Sequence, residues 1–255
     1  MAKSFQARVL STATKSLTLA ALFIFNSASA EDNLLLPSYN AIYETTIKGF
    51  NIDGYRSLRR DEQGIYRLNM KAKALLMSFN EESYFALSDN GTLIPHSYKY
   101  TFKKPIGRDK VQTIAFDWND MMVIGNNKKS WQVPLEHGMT DRLNVLTALR
   151  LHMLRNGQAD YHANIVDKGQ LKSYTLTFNG QEQLNTPLGK IDTVLMSRDD
   201  EDRKSYFWLA PAWNYQLVRF VQEESDGDRY ELNLKHLEFA PGEVPSAPTM
   251  VSTEA

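Results

Sequence analysis

The 255-residue chain contains no cysteine. That excludes disulfides, thiolate catalysis, a cysteine-based zinc site and a lipid-modified N-terminal cysteine. It has no G-x-S-x-G, no H-E-x-x-H, no P-loop and no dinucleotide glycine fingerprint, so no local motif announces a reaction. The five histidines, His96, His137, His152, His162 and His236, form no pair at i, i+3 or i+4. No cofactor and no metal is expected. An excess of positive charge is also missing, with 29 basic against 30 acidic residues. Nucleic acid is therefore not an expected partner. Beyond residue 30 no apolar run approaches the roughly 20 residues of a membrane helix.

The N-terminus is what departs from this blandness. Lys3, Arg8 and Lys15 precede an apolar run, Leu17 to Phe25, and then Ala28-Ser29-Ala30. A basic region, a short apolar core and an A-x-A site predict a cleaved secretory leader over 1–30. The mature chain then carries 26 basic and 30 acidic residues. A cysteine-free secreted chain fits a bacterial periplasm and must hold its fold by burial alone, for which more than 200 residues suffice.

From Glu31 on, the dominant period is two. Tyr66, Leu68, Met70, Ala72 and Ala74 alternate with Arg67, Asn69, Lys71 and Lys73, which puts one face inward and the other in water. The same alternation marks Tyr39-Ala41-Tyr43, Tyr98-Tyr100-Phe102, Ile114-Phe116-Trp118, Tyr174-Leu176-Phe178, Ile191-Thr193-Leu195, Val218-Phe220 and Tyr230-Leu232-Leu234. Asn90-Gly91, Asn179-Gly180 and Asp226-Gly227 tolerate positive φ and predict tight hairpins between strands. One stretch differs. The pattern predicts an amphipathic helix over 141–155, capped by Thr140 or Asp141, with Leu143, Leu146, Leu149 and Met153 on one face and Gly157 past its end. The tail from Pro241 to Ala255 is rich in Pro, Ser and Thr, and disorder is expected there. The domain proper is thus 31–240.

Candidate chemistry is sparse. Asp199-Asp200-Glu201-Asp202 lacks calcium-loop spacing and is flanked by Arg198, Arg203 and Lys204, which makes a solvated hairpin tip the expectation. Glu81-Glu82 and Glu223-Glu224 are adjacent in strands, so each pair points to opposite faces and cannot flank one bond. The segment "YFWLAPAWNYQLVRF" from Tyr206 to Phe220 is apolar on both faces, unlike the other strands. Tyr206 and Trp208 share one face of its first strand. In its second, Tyr215 and Leu217 are expected opposite Val218 and Phe220. Two apolar faces need two covers: a helix over one of them, or a face that lines an apolar cavity.

The order of segments carries a resemblance. "YNAIYETTIKG", "GIYRLNMKAKA", "SDNGTLIPHSYKY", "TIAFDW", "TDRLNVLTALRL", "LNTPLGKIDTVLMSR" and "FWLAPAWNYQLVRFVQEESDG" follow one another between Tyr39 and Phe239. This order resembles the DUF3108 family of Gram-negative envelope proteins. Asp141 and Arg150 fall at its acid and base positions in the helix motif, and Gly189, Trp208 and Arg219 at its Gly, Trp and basic positions. Where members often read Tyr-Leu-Pro-Val, this chain reads Tyr215-Gln216-Leu217-Val218. The resemblance implies an antiparallel β barrel or half-barrel, a highly curved sheet; it supplies no activity.

The sequence therefore predicts a mainly β, periplasmic, non-enzymatic protein whose helix lies over the open side of the sheet. Three functions are carried forward. The first binds an apolar or lipid-like ligand, such as an acyl chain, in envelope biogenesis. Tyr206, Trp208, Tyr215, Leu217 and Phe220 would line its pocket, and Leu146, Leu149 and Met153 would close it. The second is a protein-protein interaction module of the envelope with a filled core. The third is an envelope-polymer hydrolase, which needs two carboxylates, or a histidine and a carboxylate, converging in a cleft.

Overall fold

The computed structural model describes residues 36–47 and 49–245. The expected leader and residues 246–255 of the expected tail lie outside them. Fifteen strands form one sheet: β1 (Tyr39–Ile47), β2 (Phe50–Arg60), β3 (Tyr66–Ala74), β4 (Met77–Leu87), β5 (Leu93–Lys103), β6 (Lys110–Asp117), β7 (Met122–Asn126), β8 (Ser130–Pro134), β9 (Met139–Thr140), β10 (Tyr161–Asp167), β11 (Gln170–Thr186), β12 (Gly189–Asp200), β13 (Arg203–Ala210), β14 (Gln216–Glu224) and β15 (Arg229–Phe239). The sheet runs from β8 down to β1, then β15 down to β9, so β1 and β15 pair at its centre. Every pairing is antiparallel except that of β9 with β10. The expected mainly β, highly curved sheet with one substantial helix is what the chain forms.

The sheet does not close by a backbone ladder; side chains join its two ends. Trp131 of β8 lies flat on Gly125 of β7, where a Cβ would come within 2.0 Å of the indole, and against Gly169 in the β10–β11 turn. Gln112 of β6 donates to Asp167 of β10 at 3.1 Å.

Inward-facing residues follow the period-two alternation. Tyr39, Ala41 and Tyr43 of β1 lie beside Leu58 of β2, Leu68 of β3 and Phe85 of β4, all buried in one cluster. Tyr66 and Phe85 stack at 5.0 Å. The helix α1 (Val145–Asn156) fills this concavity. It begins later than the pattern suggests. Asp141 does not cap the helix itself; its Oδ1 accepts the N–H groups of Leu143 and Asn144 in the turn before it. The buried positions are Val145, Thr147, Leu149, Arg150, Leu151 and Met153, with Leu143 buried just before the helix and Leu146 only partly so. More than one stripe is covered because the helix sits inside the curl rather than on top of it. Its middle and its C-terminal end are tied to one rim of the sheet: Arg150 donates to the Asn214 carbonyl in the β13–β14 turn, and Arg155 to the Asn90 carbonyl in the β4–β5 turn.

One turn expectation and one face expectation change. Asn90-Gly91 and Asp226-Gly227 turn hairpins as expected. Asn179-Gly180 instead sits inside β11, where the register with β12 slips between Phe178 and Gln181. The positive φ that suits a turn also suits a β-bulge, and Gly180 adopts φ 112° there. A second bulge falls between β13 and β14: Trp208 faces Arg219 while Leu209 faces Leu217, so Val218 is the extra residue. Phe220 therefore packs on the same cluster as Leu217, and Val218 on the other face, contrary to strict alternation.

Candidate functional site

The residues of the aromatic hairpin are not brought together. Tyr215, Leu217, Leu149 and Met153 are buried in the main core, with Phe220 and Leu146 packed against it. Trp208, flanked by Tyr206, belongs to a second cluster on the outer face, with Leu184, Ile191, Ala210, Val218 and Val221. The tip of the β11–β12 hairpin, not the helix, covers that face. All eight residues serve as packing, and none lines the open groove described below.

The positions singled out by the resemblance also have structural partners. Gly189 adopts φ 104° at the β11–β12 turn, a conformation L side chains rarely take. Trp208 Nε1 donates to Glu182 at 2.7 Å, and the Arg219 guanidinium lies 5.1 Å from its ring centroid and 2.9 Å from Glu231. Asp141 and Arg150 do not meet. Asp141 accepts from the Ser83 hydroxyl at 2.7 Å and from the Asn144 amide at 3.0 Å. Burial raises its carboxyl to about 6, against which those hydrogen bonds work. Ser83, Asp141 and Asn144 are sealed from solvent, so this is a node that holds the helix to β4 rather than an acid presented to a substrate. The acidic tip at residues 199–202 is neutralised as expected, by Arg198 and Arg203 on Asp200 and by Lys204 on Asp199. Among the described residues no group of three His, Asp or Glu is placed to hold a metal ion.

The inward face is divided along the strands into three zones. At the rim where α1 is tied down, it is closed core. At mid-strand it becomes polar. Arg142 pairs with Glu81, donates to the Tyr98 hydroxyl at 2.8 Å and stacks on Tyr100. Arg56 donates to the Tyr39 hydroxyl at 3.0 Å, and the Arg150 guanidinium lies 5.5 Å from the centroid of the Tyr39 ring. Burial works to raise the Tyr39 phenol, but the two guanidinium groups outweigh it and lower its pKa. Among the described residues neither Arg56 nor Arg150 forms a salt bridge with a carboxylate.

Beyond that belt, toward the other rim, the same strands turn apolar again, and among the described residues nothing covers them. Thr45 and Ile47 continue the line of Tyr43; Ile52 and Phe50 continue that of Arg56 and Gly54; Ala72 and Ala74 continue that of Met70. With Phe79, Met77, Phe102 and Leu232 they wall an open groove of about 450 Å³. Gly54 keeps its floor low: a Cβ there would press within 3.0 Å of Met70 Cε. Among the described residues the wall carries no carboxylate and no imidazole. Sequence reasoning missed this groove. The available signal was Leu75-Leu76-Met77, three apolar residues in a row at a hairpin tip where polar turn residues belong.

An open, barrel-like curved sheet with an internal helix and an apolar groove at one rim defines the structural class. Within that class, the family model described as "Protein of unknown function (DUF3108)" matches residues 38–235, and the chain belongs to that family. None of the curated proteins matches. Among solved structures the fold is similar to the crystal structure of a beta-barrel-like protein of domain of unknown function DUF1849 from Brucella abortus. The TM-score is 0.54 at 13% identity, covering 81% of this chain and 99% of that one. At that identity the likeness shows the fold alone.

Proposed function

We propose that the protein is a non-enzymatic binder of one elongated apolar or amphipathic molecule, held in the groove at the open rim with any acidic end toward Arg56. The observation that carries this is the continuity of the inward face: an apolar wall built like core on β1–β5 and left uncovered. Its volume falls in the range of about 300–1,000 Å³ typical of small-molecule sites. Each methylene buried there would contribute about 0.8 kcal/mol. Arg56 is largely buried behind the groove wall, one inward position deeper than Gly54, and donates to the Tyr39 hydroxyl and the Leu143 carbonyl; having no salt-bridge partner among the described residues, it would favour a carboxylate or phosphate end that reached past Gly54. The leader-like N-terminus supports a periplasmic setting, and with it a role in envelope biogenesis. The absence of carboxylate and imidazole from the groove wall weighs against the hydrolase reading.

Native mass spectrometry of the protein purified from its source compartment, followed by organic extraction, tests this. The expected result is a bound mass that leaves with solvent. Retention of a fluorescent fatty acid should fall at least about tenfold in Ala72→Trp, whose indole would project into the groove. In Arg56→Met the preference for the acid over the matching alcohol should disappear. A clean apo mass that lipids do not change, with the probe bound equally by wild type and Ala72→Trp, would move the reading to an interaction module.

A further inference from the structure

The hairpin tips beside the groove are built against their own solubility. Leu75 and Leu76 are the two central residues of the β3–β4 turn, since Ala74 pairs with Met77. They are 74% and 75% exposed. Ile106, in the β5–β6 connection, is 85% exposed, and Phe50, at the start of β2, is 60% exposed. Leu75 also adopts φ 51°, a region that turn chemistry ordinarily assigns to glycine or asparagine. Neither turn preference nor packing within the chain accounts for a leucine there. The flanks of two of these tips are basic: Lys71, Lys73, Lys103, Lys104, Arg108 and Lys110 are exposed against a single acid, Asp109.

From these features we infer that the β1–β2, β3–β4 and β5–β6 tips dock the protein on an anionic lipid surface, with the groove opening toward it. The three connections lie at the same rim by the antiparallel order, and all but Ile106 of the four apolar residues line or immediately adjoin the groove wall. Separate apolar points on separate hairpins suit a deformable bilayer interface, which needs no matching pocket for each. Lysine stems at the flanks can keep their charge among anionic headgroups while the apolar points enter the acyl boundary. A folded protein partner would instead call for one contiguous apolar patch. Of the other tips at this rim, those at residues 200–203 and 225–228 carry Asp202, Asp226 and Asp228, whereas the β7–β8 and β10–β11 tips carry Lys128, Lys129 and Lys168. Contact is therefore one-sided, away from the acidic β12–β13 and β14–β15 tips. The inference rests on the groove reading, because a groove that takes lipid-like molecules needs access to the phase that holds them.

Sedimentation of the purified protein with vesicles of phosphatidylcholine, with and without phosphatidylglycerol, is the test. Binding is expected to vesicles containing phosphatidylglycerol, to weaken as salt rises, and to fall about tenfold in the double variant Leu75→Gly/Leu76→Asn and in Lys103→Gln/Lys104→Gln. The turn variant places glycine at the positive-φ position, so it should melt no lower than wild type and its loss of binding would not reflect unfolding. Three results would overturn the inference: no sedimentation with phosphatidylglycerol vesicles at low salt, undiminished binding by the turn variant, or lipid-free self-association that the turn variant abolishes. Uptake of a fluorescent fatty acid from vesicle-free solution reports the groove separately and should be unchanged in the lysine variant. A protein that takes the probe but ignores vesicles thus refutes docking alone, and one that does neither refutes both.

Discussion

The two ends of the inward face are made of the same strands with the same alternation, yet one is core and the other is open. Tyr39, Leu58, Leu68 and Phe85 are sealed at one end, while Ile47, Phe50 and Met77 stand exposed at the other. The difference is cover. Helix α1 reaches from Ser83 at mid-strand to the turns at Asn90 and Asn214, and it goes no further. Alternation decides which side chains face inward; only a long-range partner decides whether facing inward means burial.

The largest expected contrast follows directly. Leu68→Ala and Leu149→Ala at the covered end should each cost about 2–5 kcal/mol by urea denaturation, because a cavity remains where a side chain was fully buried. Ile52→Ala at the open end should cost about 1 kcal/mol or less, since its side chain already meets solvent. Equal costs at both ends would mean that the groove is a collapsed part of the core, and the binding proposal would lose its footing.

The Asp141 node sharpens the same comparison through pH. Its carboxyl rises from an ordinary 3.8 to about 6 because burial disfavours the charged form. The native state therefore holds this proton more tightly than the unfolded chain. Between about pH 4 and 6 the unfolded state binds fewer protons, so this group's contribution to stability is full at the acid end and is lost as pH rises through 6. The shift corresponds to about 3 kcal/mol as an upper figure. Asp141→Asn keeps an oxygen for the N–H groups of Leu143 and Asn144. The Asn144 amide oxygen has no partner in the present arrangement, and an amide flip would let it face the new donor. The variant should gain on wild type as pH rises from 4 to 7, measured as the difference in unfolding free energy at each pH. A constant difference would show that Asp141 titrates normally and that water reaches the node.

Much of this architecture was legible along the chain. The strands of the inward face were legible because their period is two, and two of the hairpins because their turns carry Asn90-Gly91 and Asp226-Gly227. The helix was legible from its apolar spacing, but its start was not. Asp141 has the chemistry of a helix cap and spends it on the preceding turn, a choice set by Ser83, 58 residues away in sequence. The bulge at Val218 left no local mark, since Leu217-Val218-Arg219 contains no glycine, and it moved Phe220 to the face opposite the expected one. The aromatic hairpin attracted attention through composition alone. Its two apolar faces are covered, one by the helix and main core and the other by the β11–β12 tip, while the groove has Gly54, Ala72 and Ala74 between larger walls such as Phe50, Phe79 and Phe102. Aromatic composition alone does not separate core from opening; the opening is marked by small residues at its floor and by apolar ones where a turn should be polar.

The outer face supplies the smallest effect and a control on where function lies. Trp208 and Arg219 are cross-strand partners, and the chain from Glu182 through Trp208 and Arg219 to Glu231 laces β11, β13, β14 and β15 together. The Arg219 side chain is about one-third exposed (31%), so solvent screens its charge and the stack should be worth little. A double-mutant cycle with Trp208→Leu and Arg219→Gln should return a coupling of about 0.5–1 kcal/mol. Fatty-acid uptake should be unchanged in Arg219→Gln, because this face is separated from the groove by the thickness of the sheet. If uptake falls with Arg219 while stability holds, the ligand is held on the outer face, and the two ends of the inner one differ only in how well they are packed.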